Sequence, residues 1–455
     1  MSVSGGTWTV KTGDDETMQL FLALLFSVER RVGTVLSPPL PPYTQGHGVQ
    51  TASHQSSFSF DEMWKIKPPI TYALEAKYRP HLETLVPTDP MSLFNLKRGS
   101  PEEEFPNLKN NYTCMARILT PKLYTRQFNR ATQSGVIFDD VIRPGLEEPG
   151  DLHGPMSVGC VAGDGQSYIL FCDFFDRVIE SYQNHKMSKL QESDFNHDNL
   201  KGGDDFDRDY ALSCEVSVVR GVDDFGFPTH CSRGERRQLF MLAKKALDQL
   251  AEELPGKLYS RAELSHDKED KGVTVGAPSL SQLRNGVARD WPDSRAVWIS
   301  KDGTLAVWVN IDDHLRLVTT RDDANIAEAF QCICVNILKL EALYKKLRHP
   351  FIWKQQLGWV VSSPADVGTG LRASVRVKLQ HLPRHKRLED VLKRLRLRMD
   401  NTDCSEVYNI SNAQTIGLDE VGFTQLVVDG VKLLIRMEKR LEGEEKIDDL
   451  VPLQK

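Results

Sequence analysis

Asn310-Ile-Asp-Asp-His314 brings two adjacent carboxylates and an imidazole together, with Arg316 two residues on. Such a set could hold a base or a metal and clamp a phosphate. A solvated corner between a strand and a loop would have the same composition, and adjacent acids alone do not define a metal site. Gly368-Thr-Gly370, followed by Leu371-Arg372, is a second candidate. Glycines let a backbone approach an anion closely, and the guanidinium would lie beside it. A plain glycine turn between two strands is the alternative. The third candidate is basic: residues 384–398 hold seven Lys and Arg against two acids. That run could bind phosphate or nucleic acid, or be a solvated helix face.

The elements that must position these residues are legible in part. Thr304-Leu-Ala-Val-Trp-Val-Asn310 is rich in β-branched and aromatic residues and predicts a strand. Ile326, Phe330, Ile333, Ile337, Leu340, Tyr344 and Leu347 recur at steps of four and three, which predicts one helix with an apolar face. Ser232 and Glu235 have capping-box spacing, and a helical pattern runs on to about Leu254. Short helices are expected between Met115 and Phe128. Trp359–Ser363 and Ala373–Leu379 read as a strand pair joined by the glycine turn. Residues 388–398 and 418–442 read as two further helices.

The chain has 455 residues, with 40% apolar and 26% charged, the balance of a soluble globular protein. A net charge of −6 gives no support to a nucleic-acid or membrane-surface protein. The longest apolar run near the start, Met18–Phe26, is too short to span a membrane. Its acidic flank, Asp14-Asp-Glu16, fits neither a secretory nor a mitochondrial leader. Eight cysteines are scattered without a C-x-x-C pair, so zinc ribbons are unsupported and a reducing compartment, the cytoplasm, is expected. Residues 1–92 include Ser37-Pro-Pro-Leu-Pro-Pro-Tyr43 and a Ser/His/Gln/Gly-rich stretch, and are expected to be poorly ordered. The polar segment ending in Gly202-Gly-Asp-Asp-Phe-Asp207 reads as a linker.

Glu102-Glu-Glu-Phe-Pro-Asn107, Phe138-Asp-Asp-Val-Ile142, Val158-Gly-Cys-Val-Ala-Gly-Asp164, His230-Cys-Ser-Arg-Gly-Glu-Arg-Arg237 and Ala288-Arg-Asp-Trp-Pro-Asp293 occur in one order along the chain. Asp313-His-Leu-Arg316, Gly368-Thr-Gly-Leu-Arg-Ala373, Val428-Asp-Gly-Val-Lys-Leu-Leu434 and the ending Ile447-Asp-Asp-Leu-Val-Pro-Leu-Gln-Lys455 continue the series. From about Phe94 onward the chain resembles the phosphagen kinases, and creatine kinase in particular. The resemblance implies an α+β fold, with a small all-helical domain at 93–185, a linker at 186–207 and an antiparallel sheet flanked by helices at 208–455. It also implies reversible transfer of the MgATP γ-phosphoryl to creatine or another guanidino compound. A homodimer, or a heterodimer with family members, is the implied assembly, with no nucleic-acid or membrane partner.

The same resemblance implies a phosphate cage of five arginines, and here the chain departs from it. Arg316 and Arg372 match. Ser213 matches the start of the family's S-S-R-V-R segment, but Glu215 and Ser217 stand where its arginines belong. Asp400 lies roughly opposite the fifth. The signature cysteine is replaced by Ser363 and its asparagine by Asp366. Asp312 shortens one of two paired glutamates, and Ile311 replaces the other. Lys271 and Arg376 replace histidines near the adenine, Asn409 replaces an aspartate, and Thr415 an arginine. Val158 keeps its place in the substrate-side loop, while Pro155 does not match. Three readings follow: a folded pseudoenzyme with MgATP or MgADP binding in doubt, an active guanidino kinase with a rebuilt cage, or non-enzymatic nucleotide or metabolite binding through Arg316, Arg372 and the glycine turn.

Overall fold

The computed structural model describes residues 99–260 and 277–453 other than residue 153, together with a short antiparallel pair, Ser2–Ser4 with Thr7–Thr9. Apart from that pair, the expectation for residues 1–92 lies outside the described residues.

The first described part is helical. Helices α1 (Cys114–Ile118) and α2 (Pro121–Gln127) are capped by Thr113 and Thr120, whose hydroxyls accept from Ala116 N and Leu123 N. The helices α3 (Phe138–Glu147) and α4 (Cys172–Gln183) follow. Phe138, Phe171, Phe174 and Phe175 are fully buried and share one core with Val360, Val361, Val367 and Ile416 from much later in the chain. Burial of such rings is the main stabilising term here.

Beyond Gln183 the described chain makes only a short 3₁₀ turn, His197–Asn199, before strand β1 (Ala211–Arg220). Helix α5 (Arg233–Leu250) has the expected capping box: Ser232 Oγ accepts from Glu235 N at 3.2 Å, and Glu235 Oε2 accepts from Ser232 N at 2.7 Å. Strands β2 (Gly256–Ser260), β3 (Ala296–Ser300), β4 (Ala306–Val309) and β5 (Leu315–Arg321) come next, then helix α6 (Ile326–Lys346). Strand β6 (Leu371–Lys378), helix α7 (Leu388–Leu395), strands β7 (Leu397–Asn401) and β8 (Val407–Asn412) and helix α8 (Glu420–Glu442) complete the fold. The eight strands form one antiparallel sheet in the order β7-β8-β6-β1-β5-β4-β3-β2.

Period-two alternation decides what each face does. Cys214, Val216 and Val218 of β1, with Ala373 and Val375 of β6, are buried. Helices α6 and α8 pack on these strands. Polar residues take the other face. The expected α+β architecture is thus present, and no helix among the described residues is long and apolar enough to cross a membrane.

Two expectations fail. Trp359–Ser363 does not form a hairpin with 373–379. Gly358–Trp359 pairs with Trp353–Lys354, and β6 lies between β1 and β8. The valine run is instead a buried crossing: Val360 N donates to Ile352 O, and Ser362 O accepts from Ala162 N. The helix expected over 388–398 ends at Leu395. Arg396 turns left-handed (φ 56°), and the chain leaves as β7.

Candidate functional site

Strand register brings the residues of the sequence-derived set together. In β6 and β1, Arg372 lies opposite Ser217, Ser374 opposite Glu215, and Arg376 opposite Ser213. In β8, Asn409 lies opposite Arg376 and Ser411 opposite Ser374. In β7, Asp400 lies opposite Asn409 and Arg398 opposite Ser411. Val219, two residues past Ser217, lies opposite Arg316 of β5. Directly opposed residues share a face, so all these positions lie on the polar side of the sheet. Arg398 was visible in sequence only as part of a basic helix. Read as a strand with Asp400, its two-residue spacing assigns it to this face.

Three of the arginines on this face, Arg316, Arg372 and Arg398, are paired with acids. Arg316 Nη2 lies 3.4 Å from Glu215 Oε1 and 3.5 Å from Ser217 Oγ, and its Nη1 lies 4.0 Å from Asp312 Oδ2. Asp312 also accepts from Gln282 Nε2 at 2.6 Å. Arg372 makes four hydrogen bonds. Its Nη1 donates to Asn412 O at 3.0 Å, its Nη2 to Ala365 O and Asp366 Oδ1 at 3.0 Å, and its Nε to Asp366 Oδ1 at 3.2 Å. Arg398 Nε donates to Asp400 Oδ1 at 2.8 Å. Arg376 is exposed and forms no ion pair among the described residues. Thr415 is buried and donates to Val367 O at 2.7 Å.

Asp313 and His314, grouped with Asp312 in the sequence, are structural. Asp313 is buried beneath the site, where Oδ2 accepts from Ser362 N at 3.0 Å and Ser362 Oγ at 2.9 Å. Burial pushes its carboxyl up to about 7, against the pull of those bonds. His314 accepts from Val222 N through Nδ1 at 2.9 Å, and its Nε2 lies 2.8 Å from Gly226 O. Burial holds it down at about 4, so it is neutral at pH 7. Neither is available to a metal or a substrate proton, which corrects the reading of 310–314 as an open polar corner.

The glycine turn is also occupied. Gly368 has φ 107°, and a Cβ there would overlap the Thr415 carbonyl oxygen. Gly370 has φ 62°, and a Cβ there would lie 2.7 Å from Val219 O. The Thr369 carbonyl accepts from buried Arg220 at 2.8 Å. The glycines therefore serve close backbone packing. Ser363 lies at the turn before Asp366, with its Oγ accepting from Ala365 N at 3.2 Å. Val158 is half-buried and packs on the helical core, its carbonyl accepting from Met115 N. Lys271 lies outside the described residues. The basic run of 384–398 divides. Arg387 and Arg394 pair with Asp448 and Asp390, Arg396 bonds Gln414, and only Arg398 reaches the sheet face.

A helical layer followed by an antiparallel sheet, with a row of arginines across one face, defines a class. The N-terminal domain of the ATP:guanido phosphotransferases matches residues 109–180, and their C-terminal catalytic domain matches residues 238–441. The chain belongs to that family. Among its relatives it is 43% identical over 367 residues to creatine kinase M-type of Canis lupus familiaris, covering 78% of this chain and 96% of that protein. It is 42% identical to creatine kinase M-type of Homo sapiens, with the same coverage. Among solved structures, a lombricine kinase superposes with a TM-score of 0.71 at 32% identity, covering 78% of this chain and all of that one. A duplicated taurocyamine kinase from Schistosoma mansoni shares the fold, with a TM-score of 0.65 at 23% identity.

Proposed function

We propose that this is a creatine-kinase-like protein, with a helical domain at 93–185 and a catalytic-type domain at 208–455, in which phosphoryl transfer is lost or very weak. The observation that carries the reading is the pairing of the two family-matching arginines with acids: Arg316 with Glu215, and Arg372 with Asp366. A nucleotide triphosphate needs unopposed donors converging on its oxygens. Here the Arg372 nitrogens are bonded to Asp366 and two carbonyls, and Arg316 is flanked by Glu215 and Asp312. The donor set does not fit MgATP or MgADP.

Phosphoryl transfer depends almost wholly on such charge stabilisation. Three lost contacts at about 3 kcal/mol each correspond to roughly 10⁶–10⁷ in rate. A partner-binding role, in a homodimer or with an active family member in the cytoplasm, fits a fold kept without its chemistry. A coupled assay with creatine and MgATP tests the reading. Turnover far below the ordinary kinase range of about 1–100 s⁻¹ supports it, and turnover within that range refutes it.

One observation favours a second reading, an active guanidino kinase with a rebuilt cage. Arg376 and Arg398 lie on the same sheet face as Arg316 and Arg372. In that case creatine-dependent turnover is measurable, and replacing Arg316 and Arg372 by Ala abolishes it.

A further inference from the structure

Helix α8 packs on the strands from their apolar side, away from the arginine row. Near its C-terminal end, Glu438 and Glu442 stand one turn apart, and the chain leaving β6 brings His381 against them. One ligand-type atom from each of the three lies within 4.8 Å of the others. His381 Nδ1 is 3.2 Å from Glu438 Oε1. Two donor atoms bonded to one zinc ion at about 2.0–2.2 Å stand roughly 3–3.5 Å apart, so this edge of a coordination shell is already set.

The carboxylates are held from outside the group. Glu438 is fully buried. Its Oε1 accepts from Gln380 N at 2.6 Å and His381 N at 2.8 Å. Its Oε2 accepts only from Leu382 N, at 2.8 Å, and so keeps a lone pair. The Glu442 Oε2 atom accepts from the Tyr210 hydroxyl at 2.6 Å. Hydrogen bonds of this kind orient carboxylates that ligate metals. His381 and Glu442 are exposed, which leaves an entry path to the buried Glu438.

The charges are not balanced by the protein. Two acids four residues apart on a helix repel one another. Among the described residues no Lys or Arg forms an ion pair with either. The neighbouring Lys439 pairs with Asp207 and lies 5.2 Å from the centre of the Tyr210 ring. A cation between the two glutamates would remove the repulsion. An imidazole with two carboxylates suits zinc, whereas magnesium and calcium prefer oxygen donors throughout. We infer that His381, Glu438 and Glu442 form a zinc site, positioned by Tyr210, that ties the end of helix α8 to the chain leaving β6.

The full chain, first freed of metal by a chelator, is titrated calorimetrically with zinc chloride beside two single variants, His381→Gln and Glu442→Gln. Both changes fall at exposed positions, and the new amide at 442 can still accept from Tyr210. The parent should take up one zinc ion more than His381→Gln, because thiols and histidines elsewhere bind equally in both. Glu442→Gln and Tyr210→Phe should each weaken that ion by about tenfold or more. Zinc should also raise the unfolding midpoint of the parent above that of zinc-treated His381→Gln by several degrees more than their difference without metal. Equal stoichiometry in the parent and His381→Gln overturns the inference and leaves Glu438 as a cap of the Leu382–Arg384 turn. Affinity unmoved by Glu442→Gln overturns the three-ligand site, and displacement of the ion by millimolar magnesium overturns its assignment to zinc.

Discussion

Asp366 Oδ1 accepts from both Nε and Nη2 of Arg372, at 3.2 and 3.0 Å. Asp366 lies six residues before its partner, at the position where the family resemblance puts an asparagine. An asparagine would leave the guanidinium its full charge, whereas the aspartate cancels it. Glu215 stands in the same relation to Arg316 across the β1–β5 pair.

Charge restoration should therefore recover ligand binding. The combined variant Glu215→Arg, Ser217→Arg, Asp366→Asn removes two acids and adds two donors on one sheet face. Charge-assisted hydrogen bonds contribute about 1.5–3 kcal/mol each when formed. MgADP should bind this variant at least tenfold more tightly than the parent in calorimetric titration. Equal affinity would mean that these positions do not control the nucleotide.

Thiol chemistry offers a separate check. Cys172 and Cys404 are exposed, while Cys114, Cys160, Cys214, Cys231 and Cys334 are buried. Burial pushes the Cys231 thiol up to about 11 and the Cys214 thiol to about 12. The family resemblance puts Ser363 at the signature cysteine position, so no thiol is expected there. Under native conditions a thiol reagent should modify Cys172 and Cys404 first, and mass spectrometry of the labelled peptides reads this directly.

Gly368→Ala should destabilise the fold whatever the ligand. The residue has φ 107°, and the added methyl would meet the Thr415 carbonyl. A strained backbone of this kind costs about 1–3 kcal/mol, so thermal unfolding should fall by several degrees. An unchanged midpoint would contradict the packing role assigned to the turn.

The buried imidazole of His314 predicts a pH dependence. Its value in the fold, about 4, lies below the unfolded value of about 6.5. Its contribution is therefore complete above pH 6.5 and is lost as pH falls toward 4, by up to about 3 kcal/mol. Asp313 and Glu420, both raised to about 7 by burial, run the opposite way: their contribution is complete below the unfolded carboxyl range and is lost as pH rises through 7. The difference between parent and His314→Gln isolates the histidine. The variant should be less stable at pH 7, and its deficit should shrink between pH 6.5 and 4 in denaturant titrations. A deficit independent of pH would contradict a neutral His314.

The parts of the fold fixed by local chemistry were legible in the sequence. The apolar spacing from Ile326 placed α6, and Ser232 with Glu235 placed the start of α5. The valines at 360 and 361 misled because a run buried on all sides resembles a strand. Its backbone bonds go to Ile352 and, through Ser362, to Ala162, which no local pattern reveals. The end of α7 misled because Arg396 adopts a left-handed turn in an otherwise helical pattern, letting Leu397 pack against Gly430. The site residues could be named from motif resemblance, yet their pairing depends on register among strands more than a hundred residues apart. The Arg372–Asp366 bond in particular is a loop contact with no periodicity.

The central measurement is a thermal-shift titration of the full chain with MgADP, alone and with creatine. A ligand present at a hundred times its dissociation constant stabilises by about 2.7 kcal/mol, a shift of several degrees that is easily read. With Arg316 and Arg372 committed to acids, no saturable shift is expected at millimolar MgADP. A saturable shift that creatine enlarges would contradict the account.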